Sequence, residues 1–243
     1  MKRLLAILSS VCLLLAGFLP ARAQSGSELE RFQEAAGDRS ILFRGKQASR
    51  YVFLANGNPY WESSSFGHGD LLCEGNEYHD LPLNIDAHKQ RILVQLASGL
   101  LAASLTPSQV PSFTIDGHRF VGIGPGEDLP EGIYEIFGSG PEHVYKHVHK
   151  QLTTSTNNVN GETIGYYDPD YRTDVTRYFA RRITYYFRDA EGTVSRFRGK
   201  SSLLRKFPGR RKEIRQALQE ARLDQPGTSL DSFCEAVLNL TAR

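Results

Sequence analysis

Residues 70–86, DLLCEGNEYHDLPLNID, place apolar and polar side chains at alternate positions on both sides of Gly75-Asn76. A period of two belongs to extended chain, and a Gly-Asn step between two such runs reads as a hairpin turn. Leu71, Cys73, Leu81, Leu83 and Ile85 share one parity, while Asp70, Leu72, Glu74, Tyr78, Asp80, Asn84 and Asp86 share the other. The pair should therefore have one buried face and one wet face.

The same period governs a long stretch of the chain. Extended runs are expected over residues 91–97, 100–105, 112–115, 118–123, 132–137, 143–152, 174–188 and 193–198, divided by Ala97-Ser98-Gly99, Asp116-Gly117, residues 124–130, residues 138–141 and Asp189-Ala190-Glu191-Gly192. Parallel neighbours need crossovers of a dozen or more residues, and no helical pattern stands between these runs, so they should pair antiparallel. The polar segment 153–163, TTSTNNVNGET, reads as a mobile loop or a hairpin tip.

Helical spacing returns only near the ends. Ser27-Glu28-Leu29-Glu30 has the spacing of a capping box ahead of a short N-terminal helix. Ile214, Ala217, Leu218 and Ala221 form one stripe, and Leu230, Phe233, Cys234, Val237 and Leu238 form another, with Thr228 as its expected cap. Two amphipathic helices need an apolar partner, and the sheet supplies it. The expected fold is α+β and mainly β: an antiparallel meander or incomplete barrel with C-terminal helices packed on it.

The first residues, MKRLLAILSSVCLLLAGFLPARAQS, join two basic residues, an apolar run of 16 residues and an Ala-Arg-Ala site ahead of Gln24. That is the pattern of a cleaved secretory signal, and the run is shorter than the roughly 20 residues of a membrane span. The expected organisation is a signal peptide over 1–23 and one domain over 24–243, sheet over 24–199 and helical over 200–243. No integral span is expected after cleavage. Of the 29 basic residues, Lys2, Arg3 and Arg22 would leave with the signal, so 26 face 27 acids and the mature net charge is −1. Of the remaining cysteines, Cys73 and Cys234 both lie on apolar faces. They are read as two buried thiols or, in an oxidising compartment, as a disulfide.

The succession GDLLCEGNEYHDLPLNID, FTIDGHRFVGI, GIYEIFGSG and KSSLLRKFPGRRKEIRQAL resembles a loose group of exported, uncharacterised β-rich proteins of Gram-negative bacteria. The resemblance spans about residues 50–225 and implies an exported, periplasmic or extracellular β-rich fold. It carries no activity, cofactor or site residue.

Three stretches could carry chemistry. In HVYKHVHK, alternation puts His143, Tyr145, His147 and His149 on one strand face. Imidazoles two residues apart project about 7 Å from each other, a spacing that suits one zinc or copper ion. Between residues 172 and 222, 15 Lys or Arg face 5 acids, leaving the rest of the mature chain at 11 against 22. Arg177, Arg181, Arg182, Tyr185, Arg196 and Arg198 in this ribbon pair guanidinium groups with rings, a set that can hold phosphate or carboxylate while stacking on sugars. In an exported protein the matching partners are an acidic protein, a glycan or a lipid, and not nucleic acid. Gly199-Lys200-Ser201-Ser202 mimics a phosphate loop, yet Val194 stands where that loop needs its first glycine; Ser201 or Ser202 is read as a helix N-cap. Asp168-Pro169-Asp170 among Tyr166, Tyr167 and Tyr171 is read as a turn that could also line a sugar patch.

No G-x-S-x-G, S-x-x-K or H-E-x-x-H occurs. The leading expectation is a non-enzymatic binding or accessory protein of the cell envelope with no cofactor. The alternative is a zinc or copper protein using His143, His147 and His149.

Overall fold

The computed structural model describes residues 42, 46–96, 99, 101–155 and 176–242. By its contacts the chain divides into two units, Met1–Arg44 and Gly45–Arg243, and the sheet and its helices belong to the second. The expected signal sequence and N-terminal helix, most of the expected loop over 153–163 and the turn expected at Asp168 to Asp170 lie outside the described residues.

Eleven strands form one open sheet: β1 Lys46–Gln47, β2 Gly67–Cys73, β3 Asn76–Asp86, β4 Arg91–Gln95, β5 Ala102–Leu105, β6 Ser112–Ile115, β7 His118–Ile123, β8 Gly132–Phe137, β9 His143–Ser155, β10 Thr176–Arg188 and β11 Val194–Phe197. Their spatial order is β1-β5-β4-β3-β2-β6-β7-β8-β9-β10-β11, and every pairing is antiparallel. Two meanders, β2 to β5 and β6 to β11, thus meet edge to edge where Leu71 faces Phe113 and Leu72 faces Ser112. Residues 106–111, part of them a 3-10 turn at Pro107–Gln109, carry the chain from β5 to β6. On a flat sheet these strands would lie four spacings apart, about 19 Å. Six residues fully extended span about 20 Å, so the connection has little slack, and hydrogen bonds from the β3–β4 turn to β8 and β9 show that the sheet curls.

The tip of the β3–β4 hairpin helps hold the curl. The Lys150 N–H donates to the Ala87 carbonyl (3.1 Å), and the Gln90 amide donates to the Val148 carbonyl (3.0 Å) while accepting from the Ile133 N–H (3.0 Å). Residues 51–66 form a strap between distant strands: Asn56 bridges to Tyr178 of β10 and Tyr60 to Asp86 of β3.

The β2–β3 hairpin departs from strict alternation. Pairing steps from Gly69–Leu81 to Leu71–Tyr78, so Asp70 faces both His79 and Asp80. Asp80 takes a positive φ of 51° and its N–H donates to the Asp70 carboxylate (3.1 Å). This bulge switches parity: Tyr78, expected on the wet face, is buried with Leu71 and Cys73. Alternation puts Asn84 and Asp86 on the wet face as well. Both are buried under the strap, Asn84 donating to the Ser63 and Ser65 carbonyls and Asp86 accepting from the Tyr51 hydroxyl.

Three helices follow: α1 Lys200–Leu204, α2 Arg211–Glu220 and α3 Leu230–Thr241. Gly199 rather than a serine is the N-cap of α1, with the Ser202 hydroxyl reaching back to accept from the Gly199 N–H (3.0 Å). Ser229 rather than Thr228 caps α3, accepting from the Ser232 N–H. Leu203, Ile214, Leu218, Phe233, Cys234, Val237 and Leu238 pack on Phe137, Val144, Phe187 and Phe197, so the helices cover one face of β8 to β11. None of the described helices is long and apolar enough to cross a membrane.

Candidate functional site

Directly opposed residues of an antiparallel sheet share a face, so the registers trace one row across eight strands. It runs Tyr78, Leu71, Phe113, Phe120, Glu135, Lys146, Tyr185, Phe197, from β3 to β11. Six of its members are aromatic or aliphatic; Glu135 and Lys146, side by side at the centre, are charged.

Both are nearly sealed from water, with side-chain exposures of 4% and 5%. An isolated charge cannot be held at such depth, and partners converge on this pair. The Lys146 ammonium donates to Glu135 Oε2 (2.9 Å) and to Asp231 Oδ2 on the first turn of α3 (2.7 Å). The other Asp231 oxygen accepts from the Tyr185 hydroxyl (2.7 Å), and the other Glu135 oxygen accepts from His118 Nδ1 (2.7 Å). The result is a continuous chain, His118–Glu135–Lys146–Asp231–Tyr185, linking four strands to α3.

Burial alone would lower the Lys146 pKa, but its hydrogen bonds to Asp231 and Glu135 prevail and raise it. Tyr185 is pushed upward by burial and then by the carboxylate of Asp231. Both groups are locked in their protonated forms at neutral pH. Trp61, delivered by the strap, meets the rings of His118 and Phe120 edge-on at 5.1 Å, and Lys146 Nζ lies 6.0 Å from its ring centre. Its indole N–H is buried and has no hydrogen-bond partner among the described residues.

Beside this network opens a cleft of about 350 Å³ between the β6–β7 turn, the end of β8 and the outer side of α3. Asp116 and Gly117 both take positive φ, 48° and 83°, the conformation of a tight two-residue hairpin turn. That turn sets His118 and Arg119 at the start of β7. Across the cleft stand Ser139, Glu235 and Asn239, the last two one helical turn apart. The half-exposed His118 links the cleft to the buried Glu135. Cleft side chains offer both hydrogen-bond donors and acceptors over a floor fixed by ion pairs.

The residues expected to bind metal share a face, as alternation requires, but do not converge. His143 lies four residues from His147, about 13 Å along the strand. The His147 Nε2–H donates to Gln90 Oε1 (3.0 Å) and its ring stacks on Tyr134 at 4.8 Å. The His149 ring lies parallel to it at 6.2 Å. Burial, with a smaller push from His149, lowers the His147 pKa to about 4. Burial also lowers His143 and His149. Among the described residues no group of three His, Cys, Asp or Glu side chains is placed to hold a metal ion.

The arginine ribbon is divided rather than assembled. Strand alternation sends Arg177 and Arg181 to the face of Lys146, and Arg182 and Arg196 to the face of His149 and Tyr186. Tyr185 turns inward to Asp231. Arg181 pairs with Glu62 (2.9 Å) and Arg177 lies 5.8 Å from the Phe53 ring centre, whereas Arg198 is exposed just beyond β11. Arg210, from the same basic region, donates to the Leu240 and Thr241 carbonyls and so caps the C-terminus of α3. Of the two readings of the cysteines, the structure has the buried thiols and not the disulfide: Cys73 and Cys234 are free and buried. Cys234 packs within the helix-covered cluster and Cys73 ends β2, outside it.

Sequence reasoning passed over Glu135 and Lys146, although both interrupt apolar patterns: GIYEIF is otherwise an uncharged strand, and Lys146 lies between Val144 and Val148 on one parity. No family model matches the chain, no curated protein is significantly similar to it, and no solved structure matches its fold.

Proposed function

We propose that the chain is an exported, non-enzymatic binding module of the bacterial envelope that takes a hydroxyl-rich ligand, a glycan, in the cleft beside Glu135. The carrying observation is the pairing of a mixed donor and acceptor lining with an immobile charged floor. Hydroxyl groups both donate and accept, so they match a lining of Asp116, Glu235, Asn239, Ser139 and His118 better than a purely anionic or apolar molecule would. A rigid site avoids the ordering cost that a mobile one incurs on binding. Export rests on the N-terminal leader and its Ala-Arg-Ala site. The alternative of a zinc or copper centre on His143, His147 and His149 finds no support in the placement of those rings.

Titration of the isotope-labelled mature chain with envelope oligosaccharides, followed by amide NMR, tests the reading. Saturable shifts are expected around residues 116–119 and 235–239, with Glu235→Leu and Asn239→Leu each weakening binding about tenfold, the scale of one or two lost hydrogen bonds. Shifts confined to other surfaces, or turnover of ester, peptide or glycoside substrates lost in His118→Ala, would replace this function with another. A chain that keeps residues 1–23 in the cytoplasm would remove the export claim.

A further inference from the structure

A second cavity, of about 300 Å³, lies against β4 and β5 under β1 and the strap. Its charge is lopsided. Lys46, Arg50, Lys89 and Arg91 line it, and the acid among its lining residues is Asp86. That carboxylate is occupied by neutral donors: the Tyr51 hydroxyl at 2.8 and 2.9 Å, the His88 N–H at 3.1 Å and the Lys89 N–H at 2.8 Å. Burial and this carboxylate push the Tyr51 hydroxyl pKa upward, so the phenol remains a donor.

Asp86 and Arg91 oppose each other in the β3–β4 register, yet no ion pair forms between them. The Arg91 guanidinium donates to the Gln90 carbonyl (3.1 Å), and Lys89 Nζ sits 4.4 Å over the Tyr51 ring with the Ser49 carbonyl at 3.5 Å. Among the described residues Lys46, Lys89 and Arg91 make no ion pair. Below them the cavity is apolar, with Phe66, Leu93 and Leu101 in its lining. Leu93 is 6% exposed, whereas Leu101, at 39%, is among the few large apolar side chains left open to solvent.

We infer that this cavity is a binding site for a small amphipathic organic anion, whose phosphate or carboxylate is clamped by Lys46, Lys89 and Arg91 and whose non-polar part lies on Leu93 and Leu101. Several cations converging on a carboxylate already satisfied by neutral dipoles leave a positive field that an anion can complete. The apolar floor adds what an inorganic ion cannot use. At about 30 Å³ per water-sized group, the cavity has room for about ten non-hydrogen atoms. A phenyl ring bearing one phosphate or carboxylate is of that size. The site is distinct from the cleft beside Glu135, and it stands or falls independently of the glycan reading.

Isothermal titration of the full mature chain with phenyl phosphate, benzoate, inorganic phosphate and benzyl alcohol tests it. Saturable 1:1 binding is expected for phenyl phosphate or benzoate, at least tenfold tighter than inorganic phosphate, weakening as salt is raised, with no binding of benzyl alcohol. The stronger of the two aromatic anions identifies the head group. Arg91→Met and Lys89→Met should each weaken binding tenfold or more. Arg91→Lys, which keeps the charge, should retain most of it, and Lys212→Met on the exposed side of α2 should leave it unchanged; unaltered thermal melts establish that the variants are folded. Equal affinity for phosphate and phenyl phosphate, insensitivity to Arg91→Met and Lys89→Met in folded protein, or no saturable binding of either aromatic anion would overturn the inference.

Discussion

Replacing Lys146 by Met is the sharpest test of the charged network. The change conserves length and apolar stem but removes the ammonium that joins Glu135 to Asp231. The two carboxylates do not suffer equally. Asp231, 34% exposed and still hydrogen-bonded to Tyr185, can draw in water. Glu135, 4% exposed, retains only His118. Breaking a buried pair by removing one partner costs about 3–5 kcal/mol, which is about a fifth or more of the stability of an ordinary domain, about 5–15 kcal/mol. Urea unfolding followed by circular dichroism should show the midpoint falling with little change in slope. Combining Lys146→Met with Glu135→Leu should restore most of the loss, because an apolar pair of similar volume in an aromatic row needs no compensation. A Lys146→Met variant less than about 1 kcal/mol below the parent would refute the argument. So would a double variant whose loss equals the sum of the two single losses.

The same placements lead to three further outcomes. His147, with its pKa lowered to about 4, stays neutral in the fold while the unfolded chain takes up a proton below pH 6.5; the native state should therefore lose at most about 3 kcal/mol as pH falls from 7 to 4, and His147→Phe, which keeps the stacking on Tyr134, should flatten that part of the pH–stability curve. Lys150 is buried like Lys146, but among the described residues its ammonium donates to the Asn58 amide oxygen alone (2.9 Å), and burial with the nearby Arg181 lowers its pKa; Lys150→Met should be neutral or stabilising, and a loss above about 1 kcal/mol in urea would contradict it. Burial pushes the Cys73 thiol pKa up to about 11 and that of Cys234 further still, so iodoacetamide should leave both unmodified in native protein, whereas a thiol titration in denaturant should count two per mature chain; native labelling or a count of zero would contradict this.

Strand positions are legible because alternation and turn chemistry are local. His118–Ile123 and Gly132–Phe137 form as the pattern predicts, and Asp116-Gly117 turns as its residues dictate. Alternation puts Tyr78 on the wrong face because a single bulge at Asp80 shifts everything on one side of it by one residue, and nothing in residue types marks the slip. The site is obscured for a different reason. His143, His147 and His149 invite attention as ligand types, yet what a side chain does depends on what covers it: Tyr134 stacks on His147 from the neighbouring β8, and Gln90 reaches it from the β3–β4 turn, 57 positions away in sequence. Glu135 and Lys146 lie only 11 positions apart, but the Asp231 that completes them comes from α3 and the ring that covers them from the strap.

The two cavities handle charge in opposite ways, and this bears on what each can do. Beside the cleft, a buried ammonium is shared between two carboxylates, and with His118 and Tyr185 attached every strong donor and acceptor of the network is engaged. Such a floor contributes shape and stiffness and, with two carboxylates to one ammonium, no positive field, so discrimination there must come from individual hydrogen bonds at the rim. Against β4, the single carboxylate is hydrogen-bonded by a phenol and two amides, and its one negative charge is outnumbered by the charges of Lys46, Lys89 and Arg91 in the same lining. A cavity of that kind selects by charge before shape and should respond steeply to ionic strength. Raising salt from about 0.05 to about 0.5 M should therefore weaken phenyl phosphate binding severalfold while leaving glycan binding in the cleft nearly unchanged. Parallel salt dependence at the two sites would mean that the charge distribution described for them does not control recognition.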